Sequence, residues 1–174
     1  MTGHGERPAA PAVRFRRPAE ADHADVVRVV DDWWGGRRVR HLLPRLWFRH
    51  FGGTSWLAET EDGRTAGLLV GFVSPDRPDE AVVHLVGVDP NLRRRGIGRE
   101  LEAHFLQDAR THGARRVTAV MPPGDPIALR FHLAVGFRVE DGPGTTPIYG
   151  TPSIADYDGP GDDRVVLVHD LPAD

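Results

Sequence analysis

The stretch Val86-Gly87-Val88-Asp89-Pro90-Asn91-Leu92-Arg93-Arg94-Arg95-Gly96-Ile97-Gly98-Arg99 decides how the rest of the chain is read. An apolar run from Ala81 to Val88 reads as a strand. Asp89-Pro90-Asn91 breaks it, and Gly96 and Gly98 then open an amphipathic helix. A glycine-rich turn at a helix start leaves backbone N–H groups with no acceptor inside the helix. Those donors and the positive end of the helix dipole favour a phosphate or pyrophosphate, and the flanking arginines add charge. The stretch is therefore an anion-binding loop, of the kind that takes the pyrophosphate of a nucleotide-bearing cofactor.

Working outward, Ile97, Leu101, Phe105 and Ala109 fall four apart on the helix and form its buried stripe, which His112-Gly113 ends. Arg116 to Met121 reads as a strand. The right-handed crossover through the intervening helix makes it parallel to the Ala81–Val88 strand. Asp125-Pro126 caps a further helix with Ile127, Phe131 and Val135 as its expected core stripe. Phe137 to Glu140 and Arg164 to Asp170 are strands, and Gly142 to Asp163 reads as a long loop. Upstream, Val13-Arg14-Phe15 is a short strand. Val26, Val27, Val30, Trp33 and Trp34 mark a helix ended by Gly35-Gly36. Leu42, Leu43, Leu46, Trp47 and Phe51 mark a second, stopped by Gly52-Gly53. Thr54 to Thr60 and Thr65 to Ser74 form a hairpin across Asp62-Gly63.

A chain of 174 residues with 40% hydrophobic and 27% charged residues is the length and composition of one globular domain. The expectation is a leader without fixed structure over residues 1–11 and one α/β domain over 12–174. A net charge of -3 disfavours a general nucleic-acid binder. No apolar run reaches the roughly 20 residues of a membrane span, and the N-terminus has no signal core, so a cytoplasmic protein is expected. The absence of cysteine excludes disulfides, zinc–thiolate sites and a cysteine acyl-enzyme. All 22 basic residues are arginine, which excludes a Schiff-base lysine and a P-loop. The nine histidines show no metal-ligand spacing, so no metal is expected.

At Arg93-x-x-Gly96-x-Gly98 the chain resembles the GNAT superfamily of acyl-CoA-dependent N-acyltransferases, marked by Gln/Arg-x-x-Gly-x-Gly/Ala. The later run Ala128-x-x-Phe131-His132-x-x-x-Gly136-Phe137 and the order of elements from Val13 to Asp170 carry the same resemblance. It implies a mixed central sheet splayed between two parallel strands, with helices on both faces. It implies acetyl-CoA or another acyl-CoA as co-substrate. The backbone of Val86, Gly87 and Val88 would pair with the pantetheine arm. Arg93, Arg94, Arg95, Gly96, Ile97, Gly98 and Arg99 would hold the pyrophosphate, chiefly through N–H groups, with both glycines keeping the approach of the phosphate clear. The chain departs from the family at Asp125, where many members have Asn, and at His132, where many have Tyr. Asp125 is then a cofactor contact or simply a helix cap. His132 is an acid for the leaving thiolate, its ordinary pKa near 6.5 suiting that work, or it serves packing or cofactor binding.

An amine with a pKa of about 10 is almost wholly protonated at pH 7, so its attack on a thioester needs a base or a water relay. His84 is the candidate base, as the only polar residue between Val82 and Val88; Val82 and Val86 share its two-residue phase. A strand histidine at the same distance before the pyrophosphate motif also marks the similar arylalkylamine acetyltransferases. A core histidine bonded to backbone is the alternative. Glu80, at the strand's start, and Glu102, read on the outer helix face, are the rivals. Trp33, Trp34 and Trp47 read as core, and the acidic run Asp156 to Asp163 as a solvated loop.

The expected activity is direct transfer of the acetyl group from acetyl-CoA to a primary amine of a small molecule in a ternary complex, with the Val88 N–H holding the oxyanion. Acetylation of a protein N-terminus or lysine, and a non-catalytic acyl-CoA sensor, are the alternatives. The sequence leaves a homodimer open.

Overall fold

The computed structural model describes residues 12–172; the leader expected over 1–11 lies outside the described residues. Strands β1 (Val13–Arg16), β2 (Trp56–Thr60), β3 (Thr65–Val73), β4 (Glu80–Val88), β5 (Arg116–Met121), β6 (Arg138–Val139) and β9 (Val165–Asp170) form a seven-stranded sheet in the order β1-β2-β3-β4-β5-β9-β6. Every neighbouring pair is antiparallel except β4 with β5.

Helices cover both faces, as expected. On one face α1 (His23–Trp33) and α2 (Leu46–His50) bury Val26, Val30, Trp33 and Phe48 against Leu57, Leu68, Val70 and Leu85. On the other, α3 (Ile97–Thr111) buries its stripe Ile97, Leu101, Phe105 and Ala109 against Leu69, Ala81 and Val83, with α4 (Pro126–Ala134) alongside.

Two irregularities of β4 place the site. Its parallel register with β5 ends at Val83↔Ala119, although β4 runs on to Val88 and stays paired with β3 as far as Gly67↔Val88. Beyond Val83 the sheet is open along that edge of β4. Its register with β3 also jumps from Val70↔Leu85 to Gly71↔Val83, which leaves His84 as the extra residue of a β-bulge. The bulge flips the side-chain phase. Val83 and Val86 both pack toward the α3 face, while Leu85 packs toward α1. His84 therefore does not share a phase with both Val82 and Val86, as uninterrupted alternation would have it.

Three expectations are corrected. The second helix is broken, because Pro44 separates a 3-10 turn (Arg40–Leu42) from the short α2. The Gly142–Asp163 loop contains a separate hairpin, β7 (Thr146–Ile148) and β8 (Thr151–Ser153), on a Tyr149-Gly150 turn with φ of 49° and 79°. In α4 the expected stripe holds only in part. His132 is buried and Ala128, Leu129 and Val135 pack on the core, whereas Ile127 is 68% exposed because that side of the helix forms the wall of a cleft.

Candidate active site

Where β4 parts from β5, a cleft of about 750 Å³ opens between the β4 edge, the turn before α3, the end of α1 and one side of α4. It gathers residues from distant parts of the chain, among them Trp34, Arg37, Val86, Gly87, Val88, Arg93, Arg94, Gly96, Gly98, Arg99, Asp125 and His132. Of the residues expected to be catalytic or to hold the cofactor, His84 and Arg95 are absent from its wall, as are the rival bases Glu80 and Glu102.

The open edge of β4 carries backbone groups that no neighbouring strand pairs. The Asp89 N–H donates to Ala66 on the β3 side at 2.9 Å, so by strand alternation Gly87 also faces β3. The N–H and C=O groups of Val86 and Val88 face the cleft. The Val88 carbonyl accepts from Arg93 Nε at 3.2 Å, and the Arg93 guanidinium also bonds the Trp33 carbonyl. The Arg93 side chain is thus committed to tying the end of α1 to the end of β4.

At the turn, no side chain caps α3. Its first internal bond below the helix body runs from the Glu100 N–H to the Gly96 carbonyl at 2.9 Å. Among the described residues the N–H groups of residues 94–99 donate to no protein acceptor, which leaves a cluster of donors at the positive end of a 15-residue helix. The two glycines serve different ends. Gly96 has φ of 84°, a left-handed conformation, and a Cβ there would meet open space. At Gly98 a Cβ would stand 2.9 Å from the Phe131 ring, so this glycine lets α4 approach α3. Gly87 is likewise covered by the Trp34 ring, 2.2 Å from where a Cβ would lie. Trp34 is therefore part of the cleft wall, while Trp33 is core as expected.

Asp125 caps α4, accepting from the Ala128 N–H at 3.0 Å, and pairs with Arg37 at 2.8 Å. Burial opposes its charge, but these two donors outweigh it and hold the carboxyl below its ordinary value. The Arg37 contact joins the segment after α1 to the start of α4 across the cleft, a link that sequence reasoning missed.

The two candidate histidines sit on opposite sides of the sheet. His84 stacks on Trp47, ring centroids 4.3 Å apart and planes 21° from parallel, and its Nε2 lies 2.7 Å from the Leu42 carbonyl. A carbonyl only accepts, so Nε2 carries the proton and the Nδ1 lone pair is left as the basic position. Trp47 is thereby a partner of His84 as well as a core residue. Glu80 is occupied by Thr118 Oγ1 at 3.1 Å and by Arg77 at 3.5 Å, at the far end of β4.

His132 is 6% exposed, between Phe131 and Phe137, and burial pushes its imidazole down to about 4. That overturns the expectation of an ordinary histidine near 6.5. Its Nδ1 lies 4.0 Å from Oε1 of Glu102. Glu102 is not on an outer helix face but 1% exposed, and burial pushes its carboxyl up to about 8. One signal pointed there: Glu102 stands one helical turn after Gly98, on the row of α3 that faces α4.

The acidic loop is structured by its own carboxylates. Asp156 accepts from the Gly161 N–H at 2.6 Å, Asp163 from the Asp156 N–H at 2.9 Å, and Asp158 pairs with Arg164 at 2.7 Å. Among the described residues no group of three or more His, Asp or Glu is arranged to hold a metal ion, and no helix is long and apolar enough to cross a membrane.

A sheet opened between parallel strands beside an uncapped helix start is the architecture of an acyl-CoA-dependent acyltransferase. The structure of diaminobutyrate acetyltransferase EctA from Paenibacillus lautus, in complex with L-2,4-diaminobutyric acid and coenzyme A, has this fold. It matches with a TM-score of 0.67 and 23% identity over 95% of this chain and 99% of that one. The chain belongs to the acetyltransferase (GNAT) family, whose profile matches residues 20–137. Among curated relatives, an L-2,4-diaminobutyric acid acetyltransferase of Nocardia farcinica is 32% identical over 124 residues, 71% of this chain and 64% of that protein. One of Streptomyces coelicolor is 39% identical over 128 residues, 72% of this chain and 75% of that protein.

Proposed function

We propose that this protein moves the acetyl group of acetyl-CoA directly to a primary amine of a small molecule, with both substrates bound at once. The observation that carries the reading is the continuity of the open β4 edge with the donor cluster before α3 in one cleft. The N–H groups of residues 94–99 would hold the pyrophosphate, with Arg94, Arg95 and Arg99 adding charge around them. The cleft-facing groups of Val86 and Val88 would pair with the pantetheine arm as a strand pairs, and the Val88 N–H would steady the oxyanion. Asp125 acts as a cap and as the anchor of Arg37.

His84 is the proposed base. With Nε2–H held by Leu42, Nδ1 takes the amine proton, directly or through a water. His132, on the cleft wall, is the proposed donor to the leaving thiolate. The acceptor amine is a small diamino acid, with L-2,4-diaminobutyrate as the first compound to try, because that is the substrate in the names of the relatives. A small acceptor also suits the β7–β8 hairpin, which brings Tyr149 against Gly124, one residue from Asp125. The work is assigned to the cytoplasm.

A thermal melt tests the reading. Acetyl-CoA at 100 times its dissociation constant should stabilise the fold by about 2.7 kcal/mol. Release of free thiol should then require the amine. Absence of a melting shift, or thiol release indifferent to every amine in a panel, overturns it.

A further inference from the structure

Glu102 and His132 form a costly buried polar pair. Both Glu102 oxygens and His132 Nδ1 are buried without a hydrogen-bond partner. Buried polar atoms are nearly always paired, and an orphaned carboxyl costs more than an apolar residue of the same shape. Two of these orphans approach each other: Oε1 and Nδ1 are 4.0 Å apart, across the contact between α3 and α4. A change of about 1 Å in the Glu102 side chain brings them to hydrogen-bond distance. The other charged or titratable groups near the pair are Arg99, one turn earlier on α3, Asp125 at the cap of α4, and His169 on β9 behind Phe137. None of them is in ion-pair or hydrogen-bond contact with His132, and Asp125 is engaged with Arg37.

An imidazolium cannot be the acid here, because burial has taken His132 down to about 4. A neutral imidazole alone is a very weak acid. A neutral carboxyl behind it changes that, and Glu102, pushed up to about 8, is neutral at pH 7.

We propose that Glu102 is a positioning and proton-supplying residue for His132. The protonated carboxyl donates to Nδ1, which fixes the imidazole with its proton on Nε2, the nitrogen turned away from Glu102. When the thiolate leaves, the Nε2–H bond breaks and an S–H bond forms. The Glu102 O–H bond breaks and an Nδ1–H bond forms. One proton has moved to sulfur, and a buried carboxylate faces a neutral imidazole. Reversal of the same two transfers, with solvent in the cleft giving its proton to Nε2, restores the starting state. The inference rests on the reading that the cleft holds acetyl-CoA with its sulfur near His132.

The test uses the full chain with acetyl-CoA and L-2,4-diaminobutyrate. Glu102→Gln keeps the shape and can still donate to Nδ1, but carries no transferable proton. It should bind acetyl-CoA normally by melting shift, lose about 10- to 100-fold in kcat with little change in KM, and lack the alkaline limb expected of wild type near pH 8. Glu102→Leu should melt at a higher temperature than wild type and be at least as inactive. A measurement independent of turnover is carboxyl ¹³C and imidazole ¹⁵N NMR. Glu102 should titrate near 8 in the free protein, with His132 as the Nε2–H tautomer below that. Full kcat and an intact alkaline limb in Glu102→Gln, or a Glu102 carboxyl that titrates near its ordinary value, overturns the relay. Failure of wild type to bind acetyl-CoA removes the reading of the cleft, and the relay falls with it, even where the NMR titration is as expected.

Discussion

The two sides of the sheet hold one candidate histidine each, His84 on β4 and His132 on α4, and they handle the same side chain in opposite ways. On the α1–α2 face His84 sits on a bulge, stacked on an indole, with one nitrogen engaged by a carbonyl. Its tautomer is fixed by a partner and its other nitrogen is left with a free lone pair. On the α3–α4 face His132 is enclosed by two phenylalanines, and its Nδ1 lies beside a carboxyl that burial pushes toward the neutral form. One environment leaves a ring nitrogen with a free lone pair, and the other disfavours charge through burial. Residue type alone assigns neither role; the difference lies in what each ring nitrogen meets.

The largest expected effect breaks the first side of that contrast. His84→Ala should lower turnover by about 10² to 10⁴ at pH 7 while leaving the acetyl-CoA melting shift near wild type, since the cofactor is read as meeting backbone there. Residual activity should climb with pH as free amine becomes available unaided. Wild-type turnover in this variant would make His84 a structural residue.

The next effect sharpens the second side through stability. The unfolded chain releases the Glu102 proton near 4.5, whereas the folded chain keeps it until about 8. The folded state therefore holds the extra proton in that window, and stability falls as pH rises through it, by up to about 1.4 kcal/mol per pH unit. His132 acts with the opposite sign between its folded value of about 4 and the ordinary 6.5, so there the two slopes oppose each other. A net decline should appear from about pH 6.5 to 8 in denaturant melts, and Glu102→Gln should remove it. A decline that survives the substitution means that other groups produce it.

Much of the fold was legible because it rests on local rules. The stripe Ile97, Leu101, Phe105, Ala109, the Asp125-Pro126 cap and the Gly96–Gly98 turn each follow from spacing or backbone sterics and lie where the pattern puts them. The bulge at His84 was not legible, because it is defined by the register with β3 and leaves no mark on β4 itself. The burial of Glu102 was hidden for a related reason: a carboxylate on a helix reads as solvated until a second helix is known to cover it. The roles of the glycines are only half legible: spacing points to clearance at both, whereas Gly96 is needed for its backbone angle and Gly98 makes room for Phe131 as well as for a phosphate.

The smallest effects test whether the cleft's rim is held by its cap or by its ion pair. Asp125→Ala removes the acceptor for the Ala128 N–H and should cost about 1 kcal/mol in a chemical melt. Arg37→Ala removes only a solvent-screened partner of the same carboxyl and should change stability by less than about 0.5 kcal/mol. A reversed order would make the ion pair across the cleft the principal support of the start of α4.

The central claim is that one cleft, made of the open β4 edge and the start of α3, takes CoA. The direct measurement is a ¹H–¹⁵N titration of the protein with CoA. The amides of Val86, Val88 and residues 94–99 should move together and saturate with a single dissociation constant. Saturable shifts confined to other parts of the molecule, such as the β7–β8 hairpin, with these amides unmoved, would contradict the account.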